Sequence, residues 1–139
     1  MFFNNNGTFL NQVTVGALPD MITFSPDGTK VMTANEGQPN TDYSIDPEGS
    51  VSIVDISGGI ASLSQSNVTT LLFTAYNTQE ATLIASGVRK LKSTSTLSQD
   101  FEPEYITISA DSQKAWVTLQ ENNAIAEINL TNNTISDVW

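Results

Sequence analysis

The chain has 139 residues, a formal net charge of −10 from five basic and fifteen acidic side chains, and neither cysteine nor histidine. Thiol catalysis, disulfides, Cys/His zinc sites and His-dependent catalysis are therefore excluded, and the negative charge argues against nucleic acid and anionic membranes as partners. No apolar run approaches the roughly 18 residues that a transmembrane segment needs.

The N-terminal part of the chain predicts short strands joined by polar turns. Asn6-Gly7 and Pro26-Asp27-Gly28 are turn sequences, because each supplies a glycine where a positive φ is needed. Ile22 and Phe24 alternate along one strand and are expected to share one of its faces. We predict strands at residues 8–10, 13–15, 21–25, 30–34 and 50–56, with a long polar loop over 35–48.

The middle of the chain predicts a change of structure. Asn77 or Thr78 is a suitable N-cap, Glu80 falls in the first turn, and Gly87 marks a C-terminal end. These signals predict one short inserted helix near 78–86. Residues 93–99 are rich in Ser and Thr and predict an exposed loop.

The C-terminal part predicts a second set of strands. They fall at 105–109, 114–119 and 124–130, with a fourth near 134–138. Asp111-Ser112 and Glu121-Asn122-Asn123 form the turns between them.

A short phrase occurs twice, at residues 18–30 and 102–114. Six of its thirteen positions are identical: Pro19/Pro103, Ile22/Ile106, Thr23/Thr107, Ser25/Ser109, Asp27/Asp111 and Lys30/Lys114. A repeated strand-turn-strand unit indicates a radial or stacked β architecture. We predict an all-β fold of about two antiparallel β-propeller blades. A single domain over 1–139 would comprise blade-like units at 8–57 and 101–139 and a helix-and-loop insertion at 58–100.

Several phrases in one order resemble the choice-of-anchor I family. They are Leu18-Pro19-Asp20, Ser25-Pro26-Asp27-Gly28, Ala34-Asn35-Glu36-Gly37, Asp46-Pro47-Glu48-Gly49-Ser50-Val51, Gly87-Val88-Arg89, Gln99-Asp100-Phe101-Glu102-Pro103-Glu104-Tyr105 and Leu119-Gln120-Glu121-Asn122-Asn123. That family is related to YVTN-type propellers and to the mesenchyme-specific cell surface glycoprotein type. The resemblance implies a seven-bladed propeller of which this chain represents the N-terminal portion, and an extracellular or cell-surface location.

The predicted topology gathers acidic side chains at one rim. In an antiparallel meander, the start of the first strand and the end of the second lie at the same end of the sheet. The loops at that end contain the candidate ligand residues of the rim: Asp20, Asn35, Glu36, Glu102, Glu104, Gln120, Glu121 and Asn122. The repeated position of Asp20 and Glu104 also fits an architectural role.

The 35–48 loop contains three further carboxylates, Asp42, Asp46 and Glu48, which are the candidate metal ligands. Carboxylate oxygens suit calcium, which takes six to eight oxygen ligands, but the spacing is not that of an EF-hand. Two interpretations stay open: calcium as a cofactor, or capping of turns by Asp42 and Asp46.

The leading functional hypothesis is a non-catalytic extracellular or cell-surface module for binding or structural assembly. Its expected partners are other blades of the same propeller, further copies that associate through open strand edges, or a protein or carbohydrate ligand. The alternative is a fragment of a calcium-dependent phosphoester hydrolase of the alkaline phosphatase or phytase type. It would hold its metal through Glu36, Glu102 and Glu104.

Overall fold

The computed structural model describes residues 1–139 and confirms an all-β fold. Ten strands follow one another along the chain. They are β1 (Phe2–Phe3), β2 (Phe9–Asn11), β3 (Pro19–Phe24), β4 (Lys30–Asn35), β5 (Ser50–Asp55), β6 (Val68–Leu72), β7 (Tyr105–Ile108), β8 (Lys114–Leu119), β9 (Ala124–Asn129) and β10 (Thr134–Val138).

Eight of these strands form two four-stranded antiparallel sheets. The first, here called blade 1, has the order β3-β4-β5-β6, and the second, blade 2, has the order β7-β8-β9-β10. Strands β1 and β2 form a separate hairpin. Each blade is thus a simple meander, as the repeat predicts. Strand β6 lies within the 58–100 segment, which the sequence predicts to be an insertion of helix and loop. It pairs with β5 and completes blade 1.

The main core lies between the two blades. Strand register places Met21, Ala34 and Val51 side by side on one face of blade 1, and Ile106 and Val117 on the facing side of blade 2. Ala34, Val51, Ile106 and Val117 belong to one buried apolar cluster, and the partly exposed Met21 packs against it. Burial of this shared surface holds the blades together, since burial of apolar area is the main source of stability.

The segment at residues 12–17 crosses the other face of blade 1. The strand predicted at Val13–Val15 is wrong, because a side chain takes the place of a neighbouring strand. The Thr14 N–H donates to Gln65 Oε1, and Gln65 Nε2 donates to the Thr14 carbonyl, each at 2.9 Å. Val13 and Val15 pack against a small second cluster around Val31.

The main helical elements lie in the segment that joins blade 1 to blade 2. Helix α1 spans Glu80–Ser86 and ends at Gly87 in the left-handed conformation, so the helix predicted near 78–86 is present. A 3₁₀ segment at Thr74–Gln79 precedes α1. The N-cap of α1 is Gln79 rather than the predicted Asn77 or Thr78. Three more 3₁₀ turns lie at Ile60–Ser62, Gln65–Asn67 and Gln120–Asn122.

The loop predicted at 93–99 is partly wrong. A second short helix, α2 (Leu97–Asp100), begins there after a Thr96 cap, and Leu97 and Ser98 are fully buried. Leu97 joins the inter-blade core, which favours the helix over an exposed loop. No helix in the chain has the length and apolar character required to cross a bilayer.

Candidate functional site

The ends of four strands meet at one rim of the two blades. Strand β3 begins at Pro19 opposite the end of β4 at Asn35, and β7 begins at Tyr105 opposite Thr118 near the end of β8. The loops that enter the first strands and leave the second strands therefore lie at the same end of each blade, as the sequence predicts.

Five carboxylates lie in these loops or at the adjoining strand end, and we call them the acidic rim: Asp20, Glu36, Glu102, Glu104 and Glu121. Burial, assisted by the charges of Asp20 and Glu121, raises the pKa of Glu36 above its usual range. Burial also raises the pKa of Glu104, with further contributions from the charges of Glu36, Glu121 and Asp20. In both cases the charge of a carboxylate on the other blade contributes to the raised pKa.

Glu102 is the most perturbed member of the acidic rim. Burial, assisted chiefly by the charges of Glu36 and Glu121, raises its pKa to about 7. Asp100 and Glu104 add smaller contributions of the same sign. The backbone fixes its position, because the Glu102 N–H donates to Asn122 Oδ1 at 3.2 Å. A half-buried carboxylate among like charges makes the rim sensitive to pH near neutrality.

We expect Glu102→Gln to raise the free energy of unfolding at about pH 8 by about 1 to 2 kcal/mol. This is less than the free energy equivalent to the whole pKa shift of Glu102, because solvent screens the partly exposed carboxylate. The raised pKa means that the folded protein holds this proton more tightly than the unfolded chain does. The resulting stability is fully present below the ordinary pKa of Glu, 4.5, and is lost as pH rises through about 7. Urea denaturation at a series of pH values would measure this slope, which the variant should flatten.

Asp42→Asn supplies a control of opposite sign. The Ser44 hydroxyl and backbone N–H lower the pKa of Asp42, so its charged form is the stabilised one. This variant should lower stability at neutral pH and should leave the slope between about pH 5 and 8 intact. An unchanged slope in Glu102→Gln would show that Glu102 does not control the pH response.

Asn35, predicted as a rim ligand, is instead part of a buried network. Its side chain is fully buried, and its Nδ2 donates to Ser50 Oγ at 3.1 Å and Ser52 Oγ at 3.0 Å. Its Oδ1 accepts from the Thr33 hydroxyl at 2.9 Å. Gly16 lies over this network so closely that a Cβ there would overlap Ser50 Oγ. All three of these hydrogen bonds of the Asn35 side chain are to residues of blade 1.

Asn122, also predicted as a rim ligand, is fully buried beneath the rim. Its Nδ2 donates to the carbonyl of Arg89 at 3.1 Å and to the carbonyl and carboxylate of Asp100, both at 2.9 Å. Its Oδ1 accepts from the Glu102 N–H. Asn122 therefore joins the insertion to blade 2 and holds the segment that carries Glu102. Gln120, in contrast, is exposed at the rim.

The predicted calcium ligands of the 35–48 loop have separate partners. Asp42 caps Ser44, Asp46 accepts from Ser95 Oγ at 2.8 Å, and Glu48 accepts from Ser98 Oγ at 3.1 Å. No three acidic side chains of the chain form a group that could hold a metal ion. The turn-capping interpretation fits Asp42, and the three residues do not fit a common calcium ion.

Asp100 is a site residue that the sequence did not identify. It is buried, and its carboxylate accepts from the backbone N–H groups of Leu91 and Lys92, each at 2.8 Å. These partners lie in an irregular loop, and Asn122 lies 22 residues away. No spacing rule connects such positions, so only the fold shows that Asp100 anchors the base of the rim.

Comparison with known proteins places this arrangement in a family. A sequence model of the choice-of-anchor I domain matches residues 1–139, which is the whole chain. None of the curated proteins matches the sequence.

Proposed function

The chain belongs to the choice-of-anchor I domain family, and from this membership we propose that it is a non-catalytic module at the cell surface or outside the cell, serving binding or structural assembly. The family name indicates association with the cell surface. Apolar side chains exposed on the two blades support a role in binding or assembly.

Both outer faces of the blade pair expose large apolar side chains. Ile22 is 63% exposed and Phe24 is 61% exposed on blade 1, and Tyr105 is 63% exposed on blade 2. Beside blade 1 a largely apolar groove of about 240 Å³ is lined by residues that include Val13 and Ile22. Large apolar side chains exposed beside an apolar groove are typical of interaction sites. These faces support a role in assembly.

An apolar fluorescent dye tests this proposal. We expect the chain to bind the dye, and Ile22→Glu and Tyr105→Glu each to reduce the fluorescence, because each variant places a charge on one outer face. Ile45→Glu is the matched control, since Ile45 is 64% exposed in the long loop, away from both faces. Equal loss of fluorescence in all three variants, or no dye binding by the parent, would contradict the assembly role.

The hydrolase alternative is tested separately. The acidic rim lacks a metal-binding group of three side chains, so we expect no calcium-dependent cleavage of a generic phosphomonoester. Calorimetric titration with calcium and a phosphatase assay would measure this, with Glu102→Gln beside the parent. Calcium-dependent cleavage that Glu102→Gln abolishes would replace the assembly role by the hydrolase.

A further inference from the structure

Three of the five basic residues of the chain lie in residues 87–96, the irregular segment that joins helix α1 to helix α2. They are Arg89, Lys90 and Lys92. The other two, Lys30 and Lys114, begin the inner strands β4 and β8, which are hydrogen-bonded to a strand on either side. An endopeptidase binds its substrate as an extended segment that has left its neighbours. Only the 87–96 segment therefore offers such an enzyme a basic residue outside a sheet.

Within this segment, Ser93 and Thr94 are the residues with the fewest restraints. Both are exposed, and neither takes part in a backbone hydrogen bond. Exposed loops of small polar residues are the preferred places for proteolytic cleavage of folded domains. The Lys92–Ser93 peptide bond therefore joins a basic residue to a stretch of chain that can leave the surface at little cost.

The other two basic side chains of the segment are held more firmly than that of Lys92. The Nε of Arg89 donates to the Glu121 carbonyl at 2.7 Å. Lys90 forms an ion pair with Glu80 at 2.8 Å, and its side chain is only 11% exposed. A protease that cuts after a basic residue inserts that side chain into a pocket with a carboxylate at its base. Arg89 and Lys90 would have to give up these contacts to enter it.

The Lys92 side chain is 31% exposed and makes two weaker contacts with the 35–48 loop. Its Nζ lies 3.7 Å from Asp46 Oδ2 and 3.6 Å from the centroid of the Tyr43 ring. Ion pairs and cation–π contacts at partly exposed sites contribute little to stability. The ammonium group can therefore leave this loop for a competing carboxylate. The main restraint beside the bond is the Lys92 N–H, which donates to Asp100 Oδ1 at 2.8 Å.

We propose that the Lys92–Ser93 bond is a processing site for an endopeptidase that recognises a basic side chain. Water adds to the Lys92 carbonyl carbon and the C–N bond breaks, which leaves a carboxylate on Lys92 and an ammonium on Ser93. The cut falls between the blades: residues 1–92 retain blade 1 and helix α1, and residues 93–139 retain helix α2 and blade 2. The site is separate from the apolar side chains that support the assembly role.

Contacts between the blades keep the two pieces together after the cut. The inter-blade core draws on both pieces. The Phe73 ring of the first piece packs edge-on against Phe101 of the second, with centroids 5.4 Å apart. Asn122 Nδ2 donates to the Arg89 carbonyl at 3.1 Å across the cut. Cleavage thus replaces a covalent link between the blades by a non-covalent one, so that their association comes to depend on concentration.

Limited digestion with trypsin, followed by mass spectrometry, tests the site. We expect the folded parent to be cut first after Lys92, into pieces whose summed mass exceeds that of the intact chain by one water. Ser93→Pro should block this cut, because trypsin does not cleave before proline, and the N–H that it removes forms no hydrogen bond. Lys92→Gln should block it too, whereas Lys30→Gln should leave it unchanged. Circular dichroism checks that each variant is folded.

Three results of the digestion would overturn the site. The first is an initial cut after Lys30 or Lys114. The second is a folded parent that resists trypsin under conditions in which the urea-unfolded chain is digested. The third is an unchanged rate of digestion in Ser93→Pro, because the cut would then lie at another bond.

Size-exclusion chromatography and thermal unfolding of the cleaved protein test whether the blades stay joined. We expect both pieces to elute together at the volume of the intact chain and to separate only in denaturant. The unfolding midpoint of the cleaved form should rise with protein concentration more steeply than that of the intact chain. Pieces that separate in native buffer, or equal concentration dependence in the two forms, would overturn the retention of a joined blade pair.

Discussion

Gly49→Ala is expected to lower the free energy of unfolding by about 3 kcal/mol or more. Gly49 directly precedes strand β5 of blade 1 and packs against the segment that enters β7 of blade 2. A Cβ at this position would overlap the Phe101 carbonyl oxygen and approach Pro103 Cδ to 2.7 Å. The clash is with backbone and a rigid ring, neither of which can move without shifting one blade relative to the other.

Gly58→Ala is the matched control for this prediction. A Cβ at Gly58 would meet only Ser62 Oγ, at 3.4 Å, which is ordinary contact. Its effect should be within about 0.5 kcal/mol. Urea denaturation followed by circular dichroism compares the two variants. Equal stabilities would show that blade 1 and the segment before β7 are not packed as closely as the structure places them.

The repeated phrase explains why the strands and turns could be predicted from the sequence. In each copy a serine hydroxyl donates to an aspartate two residues later at 2.6 Å, in Ser25 with Asp27 and in Ser109 with Asp111. The same serine oxygen accepts, at 2.9 Å, from the backbone N–H of the following lysine, Lys30 or Lys114. These contacts are local, so the residue types alone specify the turn.

The segments that were mispredicted depend on contacts from far along the chain. Val13–Val15 alternates like a strand, but the amide of Gln65 satisfies its backbone instead. Leu97 and Ser98 follow a Ser/Thr-rich stretch that predicts a loop, but burial of Leu97 in the inter-blade core favours a helix. Local propensity cannot foresee a partner that only the tertiary fold supplies.

The acidic rim was predictable because it follows from topology. Once β3 and β7 are recognised as equivalent first strands, Asp20 and Glu104 must lie at the same end of their blades. Whether a side chain at that end faces solvent is decided by packing instead. Asn35 and Asn122 occupy rim positions in sequence but turn inward, where each satisfies buried polar groups.

The inward orientation of Asn122 has a large expected consequence. Asn122→Asp should lower the free energy of unfolding at neutral pH by about 3 to 4 kcal/mol. The substitution keeps the shape but replaces the donor that serves the Arg89 carbonyl and the backbone carbonyl and Oδ2 of Asp100. An acceptor would then face three acceptors, and a second carboxylate would be buried beside Asp100. Asn122→Ala, which removes the donors without adding charge, should cost less.

The pH dependence of stability distinguishes the cost of the added charge in Asn122→Asp from the cost of the lost hydrogen bonds. Burial beside Asp100 raises the pKa of the introduced carboxyl in the folded state, so the folded variant takes up a proton more readily than the unfolded chain does. The loss in free energy of unfolding of Asn122→Asp relative to the parent should therefore shrink as pH falls towards 5 and grow as pH rises. The loss in Asn122→Ala should stay nearly constant. Asn132→Asp is the control, because Asn132 is exposed and already accepts from the Thr134 hydroxyl. A pH-independent deficit in Asn122→Asp would mean that the base of the acidic rim is open to water.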